Sequence, residues 1–227
     1  MSRQQTSEAV MKAVFPAFDG FALTATHSGQ AEDIDTKRLL DVALAGILVV
    51  LLSPILALVS LAIMLDSAGP LVFCQMRTGL NGRKFGILKF RSMHVMEDGA
   101  EVQQAVQGDA RVTRVGRIIR KFSLDELPQL FNVLAGDMSL VGPRPHAVAH
   151  DIQYGAEISN YAVRFQVKPG ITGWAQVNGA RGVTPTTDAM RTRVNLDAWY
   201  VEHANLALDL MILARTPLVV LRTRNAV

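Results

Sequence analysis

The feature that most constrains this chain is Val42–Leu65, 24 consecutive residues without a formal charge. As a straight helix rising about 1.5 Å per residue it reaches roughly 36 Å, enough to cross about 30 Å of hydrocarbon. Fifteen of these residues are Leu, Ile or Val. At roughly −0.3 to −0.6 kcal/mol each, they favour insertion by about 4–9 kcal/mol before the cost of Gly, Ser and Pro. A soluble core helix is the weaker alternative. Ser53-Pro54 divides the run into equal halves. Proline removes a helical hydrogen bond and clashes with the preceding turn, so a kink is expected, with Ser53 helping to satisfy the freed carbonyls. Cations flank both ends: Lys37 and Arg38 before, then Arg77, Arg83, Lys84, Lys89 and Arg91 after. Both flanks therefore favour the cytoplasm. A straight span sets one flank against that rule, whereas a broken helix entering and leaving by the same face does not. The expectation is a re-entrant membrane helix over 36–66, broken at Ser53 and Pro54, with a simple span as the alternative.

The remainder reads as one domain. Residues 1–35 form a loose polar leader, and the apolar run starts too late for a signal peptide. The chain of 227 residues carries a net charge of +3, which suits phosphate-bearing partners or an anionic membrane surface but is too modest to argue for nucleic acid. Mean hydropathy is +0.22, high for a soluble protein. A single cysteine, Cys74, forbids an intramolecular disulfide and argues against a cysteine-based zinc site. Leu71–Arg77 and Lys84–Met93 resemble strands of a hairpin turning at Asn81-Gly82. Residues 97–110 are polar and suit a surface helix or loop. Leu206–Leu221 reads as an amphipathic helix, either on the core or at the lipid interface.

Chemistry-bearing residues concentrate between Asp109 and Ala135. Arg111, Arg114, Arg117, Arg120 and Lys121 precede Ser123-Leu-Asp-Glu126. Such a cluster suits a phosphate ligand. It also suits a solvated helix face, because a three-residue spacing drifts around an α-helix. Ser123 and Glu126 fit a capping box, with Phe122 and Leu127 as its hydrophobic staple. Pro128 would then fall inside the helix and delete a hydrogen bond. In a functional reading, the ionised Asp125 attacks phosphorus without needing a general base. Gly142-Pro-Arg-Pro145 is a rigid loop displaying Arg144. His146 and His150 have a helical chelating spacing, but the glutamate of a zinc-protease motif is missing.

Together these segments resemble the bacterial sugar transferase family, the monotopic phosphoglycosyl transferases. The resemblance runs over about residues 35 to 222. It rests on Lys37-Arg38 with Asp41, Ser53-Pro54, Lys89-Phe-Arg-Ser-Met93, Asp109-Ala-Arg-Val-Thr113, Arg120-Lys-Phe-Ser-Leu-Asp-Glu-Leu-Pro-Gln-Leu130, Gly136-Asp-Met-Ser-Leu-Val-Gly-Pro-Arg-Pro145 and Lys168-Pro-Gly-Ile-Thr-Gly-Trp174. Each motif alone is weak, and seven in this order are specific.

The resemblance implies an α/β, mostly α fold. A re-entrant helix-break-helix carries a small cytoplasmic catalytic domain over 67–227, with amphipathic interfacial helices, on the cytoplasmic face of the bacterial inner membrane. It implies that Asp125 is the nucleophile, that Glu126 positions metal or acceptor phosphate, and that Mg²⁺ binds at Asp125. Arg120 would grip phosphate, and Pro143, Arg144 and Pro145 would bind the uridine nucleotide. The implied reaction moves a sugar phosphate from a UDP-sugar to undecaprenyl phosphate through an aspartyl-phosphosugar intermediate, releasing UMP and initiating exopolysaccharide synthesis. His146–Asp151 and Gly173–Gly179 resemble the branch that moves hexose phosphate, glucose or galactose. The alternatives are the same chemistry on an N-acetylated amino sugar and an inactive membrane-anchored scaffold. The sequence departs from the family at His203-Ala-Asn205, where an Asn-Trp-Ser is common.

Overall fold

The computed structural model describes residues 30–94 and 108–222. The leader lies outside them up to residue 29, and so does most of the polar segment 97–110. Helix α1 runs Gln30–Asp66 and contains Pro54. Its helical assignment is uninterrupted through Ser53-Pro54, and the Ser53 hydroxyl donates to the Val50 carbonyl at 2.8 Å. Only 11% of its most apolar stretch is buried, which separates it from a core helix. Ile47, Val50, Leu51 and Leu58 are each more than 60% exposed, an arrangement suited to lipid rather than water.

Both ends of α1 are fastened to the same domain. Near the start, Lys37 donates to the Val141 carbonyl at 3.2 Å and pairs with Asp209. The Asp41 carboxylate accepts from the Leu140 N–H at 3.0 Å. Arg38 donates to the carbonyls of Val133 and Leu134 at 2.6 and 2.9 Å, capping the end of a helix where cations are favoured. At the far end, Asp66 accepts from the Val115 N–H at 3.1 Å, and Val59 and Ile63 bury against Phe90 and Ile119.

The expected hairpin is present. Strand β1, Val72–Thr78, pairs antiparallel with β2, Lys84–Phe90, in the register Val72↔Phe90 and Cys74↔Leu88. Asn81 at φ 53° and Gly82 at φ 73° make its turn. Helix α2, Arg114–Lys121, leads into a 3₁₀ turn at Leu124–Glu126 and then α3, Gln129–Ala135. Strand β3, Ser139–Val141, pairs in parallel with β4, Gly170–Thr172. Between them lie α4, Val148–Glu157, and a 3₁₀ segment, Tyr161–Gln166. The chain closes with α5, Trp174–Val177, α6, Thr187–His203, and α7, Leu206–Arg222.

The main core joins α1, the hairpin, α3, β3 and α7 through Ala45, Ile87, Val133, Leu140 and Ile212. Helix α7 packs one face on the core and leaves apolar side chains exposed on the other. Leu208, Asp209 and Ile212 are buried, while Leu210, Met211, Leu218 and Leu221 are exposed. At the departure from the family pattern, Asn205 accepts from the Leu208 N–H at 2.9 Å and so starts α7 as a cap. The fold is mostly helical α/β, as expected.

The strands β3 and β4 meet without side chains at their ends. A Cβ on Gly142 would stand 2.3 Å from the Lys168 carbonyl oxygen, and one on Gly170 would stand 2.1 Å from the Gly142 nitrogen. Only glycine permits this approach, which fixes where the loop after β3 leaves the sheet.

Candidate active site

The dyad Asp125-Glu126 sits in the 3₁₀ turn between α2 and α3. The capping box does not form. Ser123 has φ 55°, ψ 26°, in the left-handed region, and makes no cap bond to the turn that follows. It acts instead as the residue that ends α2, and its N–H donates to the Arg120 carbonyl at 3.0 Å. A serine there costs about 1–2 kcal/mol of backbone strain. Its hydroxyl accepts from Arg181. Pro128 no longer breaks a helix, because it precedes α3 as its N-cap, where no helical hydrogen bond is lost.

Glu126 is held by cations. Arg144 grips both its oxygens with a guanidinium fork, Nη1 donating to Oε2 at 2.8 Å and Nη2 donating to Oε1. Lys89, from β2, donates to Oε1 at 3.5 Å. Among the described residues no ion pair reaches Asp125. The two carboxylates therefore separate. Burial and the neighbouring Glu126 charge push the Asp125 carboxyl up to about 6, against the pull of Lys89, Arg120 and Arg144. Burial opposes ionisation of Glu126 too, but Arg144 and Lys89 outweigh it and hold that carboxyl far below the usual range. Burial lowers the Lys89 ammonium, with Glu126 opposing.

Of the five cations ahead of the dyad, Arg120 alone is turned toward Asp125. Arg114, Arg117 and Lys121 are exposed on α2, and Arg111 pairs with Asp109 at 2.8 Å. The spacing of three spreads them around the helix. Arg120 also donates to the Ser92 hydroxyl at 3.5 Å. Lys89, Arg120, Arg144 and Arg181 thus surround two carboxylates, an excess of positive charge suited to a diphosphate.

The Pro143-Arg144-Pro145 loop is fixed through its carbonyls. Proline has no N–H, so the carbonyls are the groups left to tie. The Pro143 oxygen accepts from the Gly170 N–H at 3.0 Å, the Arg144 oxygen from Arg164, and the Pro145 oxygen from Arg77 at 3.5 Å. The zinc alternative fails on geometry. His146 precedes α4, so the four-residue spacing to His150 is not one helical turn, and His146 Nδ1 faces the Tyr161 hydroxyl at 2.7 Å. Among the described residues no cluster of three or more His, Cys, Asp or Glu side chains forms.

Residues 32–223 match the model of the family described as bacterial sugar transferase. The chain belongs to the bacterial sugar transferase family. A relative from Caulobacter vibrioides, named UDP-glucose:undecaprenyl-phosphate glucose-1-phosphate transferase, is 56% identical over 190 residues, covering 84% of this chain and 71% of its own. One of the same name from Escherichia coli is 51% identical over 180 residues, covering 79% of this chain and 39% of its own. An Aeromonas hydrophila relative, named UDP-N-acetylgalactosamine-undecaprenyl-phosphate N-acetylgalactosaminephosphotransferase, is 44% identical, covering 79% of this chain and 42% of its own. This bacterial sugar transferase chain therefore spans well under half of the length of some relatives.

The dyad's charge division gives a direct test. Glu126→Gln removes the charge that raises Asp125 and frees Arg144 and Lys89 to stabilise its carboxylate. All three effects lower the Asp125 pKa. The wild-type acidic limb of activity is expected near pH 6, falling as pH drops, and the variant limb at lower pH. A pH–rate profile of each protein measures this, and an unshifted or raised limb would contradict the assignment.

Proposed function

We propose that this chain is a priming phosphoglycosyl transferase that moves hexose 1-phosphate, glucose before galactose, from a UDP-sugar to undecaprenyl phosphate. The observation that carries this reading is the buried carboxylate of Asp125, which no ion pair among the described residues reaches, with Lys89, Arg120, Arg144 and Arg181 around it. An Asp125 oxygen attacks the β-phosphorus, and the bond from that phosphorus to the oxygen bridging the α-phosphate breaks. UMP leaves with that oxygen. A phosphate oxygen of undecaprenyl phosphate then attacks the same phosphorus, the bond to Asp125 breaks, and the carboxylate is restored. Both steps are phosphoryl transfers, so positioning and charge neutralisation carry the catalysis.

In this reading Arg120 and Arg181 steady the phosphates. Arg144, set by its proline flanks and paired with Glu126, contributes to binding the uridine nucleotide. Asp125 would be the residue to hold Mg²⁺, which commonly binds one or two carboxylates and completes its shell with substrate phosphates and water. The ion would offset repulsion between carboxylate and phosphate. The names of the relatives at 56% and 51% identity favour glucose. The N-acetylgalactosamine name at 44% identity keeps an acetamido sugar as the second reading.

The same reading seats the domain on the cytoplasmic face of the inner membrane, with α1 re-entrant. Asp41 and Asp66, some 25 residues apart, both hydrogen-bond into one domain. That supports both ends lying on one side. Two measurements follow. Detergent-purified protein with Mg²⁺ and undecaprenyl phosphate is expected to release UMP from UDP-glucose in preference to UDP-galactose and UDP-N-acetylglucosamine, and Asp125→Asn to abolish release. Release that survives in the variant would move the nucleophile elsewhere. In a Cys74→Ser background, Thr36→Cys and Ala68→Cys are both expected to resist an impermeant maleimide in intact cells. Labelling of one alone would establish a span.

A further inference from the structure

Behind the loop that carries Arg144, His146 is 7% exposed and lies between two arginines. Arg193 Nη1 approaches His146 Nε2 at 3.5 Å, and Arg164 Nη1 donates to the Tyr161 hydroxyl oxygen at 3.1 Å, beside His146 Nδ1. Tyr161 donates its own proton to Asp151 at 2.7 Å. His146 Nδ1 meets the Tyr161 oxygen at 2.7 Å and Arg164 Nη1 at 3.1 Å, so both groups hold that side of the imidazole while Arg193 faces the other. Asp197 balances Arg164, accepting from its Nε at 2.8 Å.

The remaining donors of both arginines go to backbone that presents a site arginine. Arg164 Nη2 donates to the carbonyl of Arg144. Arg193 Nε donates to the Ala180 carbonyl at 3.0 Å and its Nη2 to the Gly182 carbonyl at 2.5 Å, the two residues bracketing Arg181. Arg144 and Arg181 in turn hold the two sides of the dyad turn, at Glu126 and Ser123.

We infer that Arg164 and Arg193 are positioning residues. They set Arg144 and Arg181 at a fixed separation across the dyad, with His146 as the spacer between the two guanidinium groups. Asp151, Tyr161 and Asp197 lock the spacer and one arginine from behind. Arg77 adds a third cation on the loop side, at the Pro145 carbonyl. Burial, then Arg164 and Arg193, hold the imidazole neutral, so it does not add a third charge between them. The inference rests on the proposed diphosphate donor as the ligand that Arg144 and Arg181 grip together.

The test is a double-mutant cycle. Lysine cannot fork onto two carbonyls, so Arg193→Lys is expected to lower kcat/KM for UMP release from UDP-glucose about tenfold, chiefly through KM. In an Arg181→Ala background the same change is expected to cost less than about twofold, because the residue it positions is gone. Losses that multiply would overturn the inference by showing that Arg193 acts elsewhere. If Arg193→Lys does not fold, Arg164→Lys in an Arg144→Ala background asks the same question with the same outcomes. The cycle is also read as binding of inorganic pyrophosphate by calorimetry. That readout tests the coupling even if the wild type releases no UMP, a result that would sink the proposed reaction alone.

Discussion

The guanidinium fork from Arg144 to Glu126 decides how two adjacent carboxylates divide their charge. A buried carboxyl and a partly buried one in one tight turn cannot both ionise freely. Pairing Arg144 and Lys89 with Glu126 leaves Asp125 with a raised pKa and, among the described residues, no ion pair, which suits the phosphorus nucleophile proposed above. Much of the domain can be understood as a means of holding the Arg144 side chain.

Three features do the holding. Gly142 and Gly170 let β3 and β4 touch backbone to backbone, so the loop leaves the sheet at one point. Two prolines stiffen it, and each of its three carbonyls is tied to a different element. Strand β3 is itself pinned to α1, since Lys37 and Asp41 bond to Val141 and Leu140. The apolar helix is thereby connected to the Arg144 loop by a short run of hydrogen bonds through one shared strand.

Much of this was legible in the sequence, and the reasons for the exceptions are physical. The apolar run, the hairpin at Asn81-Gly82 and the ordered motifs around Asp125 and Arg144 are local signals. The capping box at Ser123 failed because a left-handed residue there ends α2 instead of opening the next helix. The same fact explains Pro128, which looked misplaced only under the wrong boundary. The zinc spacing of His146 and His150 failed because α4 begins after His146. Lys89 and Arg181 join the site across 37 and 58 residues of sequence, and no periodicity reports such distances. Arg164 and Arg193 act on carbonyls, which carry no side-chain signature at all.

In the proposed reaction Asp125 itself carries the sugar phosphate between donor and acceptor. The most direct test is intact-protein and peptide mass spectrometry after mixing with UDP-glucose and Mg²⁺ without undecaprenyl phosphate, followed by acid quench. A mass increase of one hexose phosphate is expected, localised to the peptide containing Asp125 and discharged when acceptor is added. Steady UMP release into an acceptor product, with no labelled enzyme at any time resolved by rapid quench, would contradict it.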